Sequence, residues 1–144
     1  MERNELIRII YNISSDVVIV GGSAQLYYGR KEIAKDIDIV VKSLKGFNEL
    51  GEVKHWFTKS FYSKSGKRAF IRRNDFNIDI FIENDLPVFE ITEEGFKYET
   101  LESMATFYTN VISKYKTNQF KQIEFIQKKL DLVNTNITQH ESNS

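Results

Sequence analysis

At 144 residues, 41% apolar and 28% charged, the chain has the length and composition of one globular domain able to bury its own core. It contains no cysteine and only two histidines, His55 and His140, which excludes disulfides, thiolate zinc sites, cysteine nucleophiles and a histidine-built metal centre. Any metal must be held by oxygen, which favours magnesium or manganese over zinc, and with no long apolar run or secretory leader the expected location is cytoplasmic, without membrane.

Leu6, Ile9, Ile10 and Ile13 recur at helical spacing and predict an amphipathic helix over 2–13. Ser14-Ser15-Asp16 breaks it, and the β-branched run Val17–Val20 predicts a buried strand. Gly21-Gly22 turns the chain, Ser23 suits the N-cap of a short helix through Tyr28, and Gly29 ends it. Asp36–Val41 is the second strand, and 44–50 is a short helix or loop. Two strands, 55–62 and 67–72, flank a turn at Ser63–Gly66, and 76–82 is a further strand with Asn77, Asp79 and Phe81 on one face. An acidic connection with the single proline, Pro87, follows. Apolar stripes over Tyr98–Tyr115 and Phe120–Val133 predict two helices, and the polar segment 134–144 is expected to be a disordered tail. The resulting fold class is α/β (α+β), with a mixed sheet, an N-terminal helix and a C-terminal helical pair.

Net charge is zero but segregated. Between Val53 and Asn74 there are seven basic residues (Lys54, Lys59, Lys64, Lys67, Arg68, Arg72 and Arg73) and no acid, whereas 75–102 holds nine acids against Lys97. A basic hairpin with Trp56, Phe57, Phe61, Tyr62 and Phe70 interleaved suits nucleic acid, and equally suits a solvated meander with aromatic core residues.

The chemistry-bearing feature is Asp36-Ile37-Asp38 downstream of Gly21-Gly22-Ser23. Side chains alternate along a strand, so the two carboxylates share a face. At about 4 Å and an effective dielectric near 20 they repel by roughly 4 kcal/mol, and Asp79 on a neighbouring strand adds to this. Such a cluster either raises a pKa or recruits a cation. A glycine turn opening a helix offers backbone N–H groups to an anion, so phosphate and cation seats lie side by side. There is neither a P-loop nor a dinucleotide fingerprint.

The stretch GGSAQLYYGRKEIAKDIDIVV, with Val20-Gly21-Gly22-Ser23 and Asp36-Ile37-Asp38-Ile39, resembles the nucleotidyltransferase superfamily of the DNA polymerase β type. It looks like the small bacterial and phage branch of minimal and abortive-infection nucleotidyltransferases. That branch carries an Arg before the acidic strand, as Arg30 here, and usually a Ser or Thr near Lys35, where this chain has Ile33-Ala34. The resemblance covers roughly residues 6 to 130.

The resemblance implies a nucleotidyltransferase domain over 1–133 that moves an NMP from an NTP to a hydroxyl acceptor and releases pyrophosphate. Asp36, Asp38 and Asp79 would be catalytic and would hold two Mg2+ (or Mn2+) ions. Gly21, Gly22, Ser23, Arg30, Lys35 and Lys114 would bind the nucleotide, and Lys121 is a further basic position on the last helix. Expected partners are an NTP such as ATP, an RNA or tRNA end or a protein side chain as acceptor, and a partner protein or second copy. Toxin–antitoxin and phage-defence roles are both open. The alternatives are a catalytically silent antitoxin or regulatory partner with the same fold, and a nucleic-acid-binding module.

Overall fold

The computed structural model describes residues 2–29, 36–56 and 65–142, and the expectations for Arg30, Lys35 and the centre of the basic hairpin lie outside them. In chain order the elements are α1 (Arg3–Ile13), β1 (Val17–Ile19), α2 (Gly21–Tyr27), β2 (Asp36–Val41), a 3₁₀ turn (Phe47–Glu49) and β3 (Lys54–His55). There follow β4 (Arg68–Arg72), β5 (Asn77–Ile82), β6 (Phe89–Ile91), β7 (Lys97–Glu99), α3 (Leu101–Lys114) and α4 (Phe120–Ser142). Among the described residues, seven strands form one mixed sheet in the order β3-β4-β5-β2-β1-β7-β6. The β2–β5 and β1–β7 pairs are parallel and the rest antiparallel.

Strand alternation sorts the sheet into two faces. Val17, Ile19, Ile37, Ile39, Val41, Ala69, Ile71, Ile78 and Ile80 form the main core with Leu6, Ile7 and Ile10 of α1 and with Phe47 and Leu50. The opposite face carries Val18, Val20 and Val40, with Phe81, Leu86 and Phe89 packed against them, and the acidic positions of β2 and β5 lie on this side. A second core joins α2 to the helical pair through Ala24, Met104, Tyr108, Val111, Ile126 and Val133. No described helix is long and apolar enough to cross a membrane.

Three expectations are corrected. Ser23 is not a helix cap: α2 starts at Gly21 with Val20 as its N-cap, and Ser23 lies within the first turn. The acidic connection contains a hairpin, β6–β7, closed by hydrogen bonds from Gly95 N–H to the Thr92 carbonyl and from Thr92 N–H to the Phe96 carbonyl. Tyr98 is therefore a strand residue, and α3 begins after Thr100, whose hydroxyl accepts from the Ser103 N–H at 3.2 Å. The segment from Asn134 is also not a loose tail: α4 runs on to Ser142, with Val133 and Asn136 buried and Ile137 packed on the second core. A polar composition concealed one apolar edge at helical spacing.

Deleting residues 134–144 should therefore lower stability by about 1–3 kcal/mol, the scale of one buried aliphatic side chain. Urea denaturation of the full and shortened chains measures this, and coincident midpoints would show that the helix end contributes nothing.

Candidate functional site

The parallel register sets Asp36 beside Asn77 and Asp38 beside Asp79, so all three aspartates lie on one face of adjacent strands. Asp36 and Asp38 are half-buried, and Asp79 is 6% exposed. Burial, then the neighbouring charge of Asp79 and of Asp36, push the Asp38 carboxyl up to about 7, against the opposing pull of Lys129 and Arg68. Asp79 is held differently. Arg72 on β4 donates from Nη2 to its Oδ1 at 3.0 Å, and Arg68 Nη2 stands 3.8 Å from the same oxygen.

The glycine turn abuts Asp38 directly. Gly21 has φ +58°, and a Cβ on it would stand 3.0 Å from Asp38 Oδ2, so both backbone angle and space require glycine. Ser23, expected to hold phosphate, lies beneath the site at 1% exposure. Its hydroxyl donates to the Asp36 carbonyl at 3.0 Å and accepts from the Asp38 N–H at 3.0 Å. With the Val20 N–H bonded to the Asp38 carbonyl at 2.9 Å, this stitches the turn to the acidic strand. Ser23 is thus a positioning residue.

Asp38, Gly21 and Gly22 open into a cleft of about 410 Å³, within the range used by small ligands. Val20, Val40, Arg68 and Phe81 line its sheet side, Leu86 and Pro87 its rim, and Phe107, Tyr108, Phe125 and Lys129 its helical wall. Phe125 is 57% exposed, and Lys129 Nζ lies 4.5 Å from its ring centroid. Four acids (Asp38, Glu83, Asp85 and Glu99) against two cations (Arg68 and Lys129) line this space, so an anionic ligand there needs accompanying cations.

Lys114 is exposed in the last turn of α3 and Lys121 is exposed near the start of α4, and neither lines the cleft. The basic helical residue that does is Lys129, which sequence spacing did not single out. The available signal was the pair Phe125 and Lys129, one turn apart on α4. Arg3 was also missed: burial lowers its pKa, while Tyr98 and Asp38 are close enough to raise it.

Among the described residues, no three His, Asp or Glu side chains are gathered tightly enough to form a ready-made metal group. The donor chemistry nevertheless fits a hard divalent cation. Asp36 and Asp38 supply oxygen alone, and the Asp38 carboxyl, raised first by burial and then by the charges of Asp79 and Asp36, has two like-charged neighbours on its own face. Compared with protein-family models, curated proteins and solved structures, the chain has no match in any of the three.

The pH dependence follows from Asp38. Its folded value near 7 lies above the ordinary carboxylate value near 4, so the native state holds the extra proton between them and stability falls as pH rises through that window. Asp38→Asn should be more stable than the native chain at pH 8 by roughly 2–4 kcal/mol, with the difference shrinking towards pH 4. Denaturation across pH 4–8 measures it, and a constant difference between the two proteins would contradict the assignment. Ser23→Ala, which orphans a buried N–H and a carbonyl, should cost about 1–3 kcal/mol in the same assay.

Proposed function

We propose that the chain is a metal-dependent nucleotidyltransferase with the minimal nucleotidyltransferase fold, moving an NMP from an NTP to a hydroxyl acceptor. The observation that carries this reading is the parallel register that sets Asp38 beside Asp79, with Asp36 on the same face, at a cleft whose other wall is Gly21-Gly22. A carboxylate cluster that repels itself inside a glycine-lined cleft is stabilised by a cation carrying a polyphosphate.

In this reading Asp36 and Asp38 hold the divalent ion, whose chemistry when bound is to neutralise phosphate charge and favour deprotonation of a hydroxyl. The glycine turn lets the polyphosphate approach the backbone beside Asp38. Arg68 and Lys129 stand over the same cleft and offset developing negative charge. Phe107, Phe125 and Leu86 offer apolar surface to the base. The acceptor oxygen bonds to the α-phosphorus as the bond to the bridging oxygen breaks, and pyrophosphate leaves. Asp79, paired in register with Asp38, would take the acceptor proton after releasing Arg72. Most of the rate enhancement comes from positioning and charge.

The Arg72–Asp79 ion pair favours one rival, a silent domain that keeps the fold and works by binding. Labelled NTP with magnesium and candidate acceptors separates the two. Under the enzyme reading incorporation occurs, and Asp38→Asn lowers it at least a hundredfold, the scale of losing one charge-stabilising group. Magnesium with NTP should raise the melting temperature of the native chain and leave that of the Asp36→Asn/Asp38→Asn variant unmoved. A native chain indifferent to both ligands at millimolar magnesium would end the proposal.

A further inference from the structure

We infer that the sheet face formed by β3 and β4 is a docking strip for the end of a single-stranded nucleic acid, whose terminal base seats on Phe70 beside Asp79. That this end is the acceptor rests on the nucleotidyl-transfer reading, whereas the strip itself does not.

Register supplies the geometry. Lys54 pairs with Phe70, Phe70 with Asp79 and Asp79 with Asp38, so these four residues form one row across β3, β4, β5 and β2. Strands lie about 4.8 Å apart, which puts an aromatic ring immediately beside Asp79 and about 10 Å from Asp38. Partners in a row share a face, so ring, carboxylates and cleft lie on the same side of the sheet. The Trp56 ring, 43% exposed, lies 5.2 Å from that of Phe70 and extends the platform outward.

Guanidinium groups lie over these rings. The Arg72 guanidinium carbon lies 4.7 Å from the Phe70 centroid, and that of Arg68 lies 5.0 Å from Trp56. Lys54 is exposed at the head of the row. Against these three cations the strip has Asp79 as its acid, and residues 53–74 contain none at all. Rings and cations held in contact on one strip suit a ligand that brings bases and phosphates together, with the bases exchanging for guanidinium groups on the rings. A duplex keeps its base faces stacked and unavailable. An acidic peptide would satisfy the cations but leave the rings unused.

Trp56 is the only tryptophan, so intrinsic fluorescence reads the strip directly. The full chain is titrated in EDTA, without nucleotide, with a single-stranded hexaribonucleotide, the same sequence as DNA, a duplex and polyglutamate. Both single strands should quench Trp56, with affinity falling at least tenfold between 50 and 200 mM salt, and duplex and polyglutamate should not. A preference for the ribo- or the deoxy-form identifies the natural source. Phe70→Leu, which keeps apolar packing, should weaken binding about tenfold, and Phe70→Tyr should retain it. Absence of quenching by either hexamer, equal quenching by polyglutamate, or native affinity in Phe70→Leu would overturn the strip. Because no NTP or metal is present, oligonucleotide binding without incorporation would remove only the transfer reading, and an NTP-stabilised chain without quenching would remove only the strip.

Discussion

The parallel pairing of β2 with β5 brings Asp38 alongside Asp79, and the rest of the site accommodates that juxtaposition. Like charges directly opposite one another destabilise a sheet. Two responses are visible. Asp79 takes Arg72 and Arg68 from the next strand as counter-charges, whereas at Asp38 burial, and after it the charge of Asp79, raises the carboxyl to about 7. One strand pair thus holds one compensated and one uncompensated carboxylate, which gives two acids of the same type different chemistry. The uncompensated one faces the cleft.

Asymmetry extends across the sheet. One face is almost wholly aliphatic and is closed by α1, which fixes the register: a slip of one residue on β2 or β5 would drive Asp36, Asp38 or Asp79 into the main core. The other face divides into a region where Phe81, Leu86 and Phe89 pack on Val18, Val20 and Val40, and a part-exposed region of rings and arginines on β3 and β4. The cleft lies at the junction. A ligand there touches the glycine turn and α4 together, and Lys129 bears on Asp38 from far along the chain.

Elements whose residues alternate strictly or form unbroken β-branched runs were legible from sequence. Asp36–Val41 was placed end to end, and α1 and β5 to within a residue. The hairpin β6–β7 was hidden because its strands, Phe89-Glu90-Ile91 and Lys97-Tyr98-Glu99, are three residues each and mix charge with bulk. The far end of α4 was hidden because Asn136 is buried where an apolar residue would have signalled packing. At the site, the shared face of the aspartates followed from period two. The Arg72–Asp79 pair did not, because it is a diagonal contact set by the β4–β5 register, in which Arg72 pairs with Asn77 and Asp79 with Phe70. Lys129 was out of reach for a similar reason: its position over the cleft depends on how α4 packs on α3 and α2.

Ser23 separates architecture from chemistry within a single short motif. Its hydroxyl is spent on the main chain of the acidic strand, and Gly21 is demanded by its own backbone angle and by the oxygen it faces. A variant of this chain without its aspartates would still need the serine to keep its shape, because the hydroxyl bonds only main-chain groups of the acidic strand. The glycine–serine half of the motif therefore answers to the backbone, and only the acidic half is left to meet a ligand.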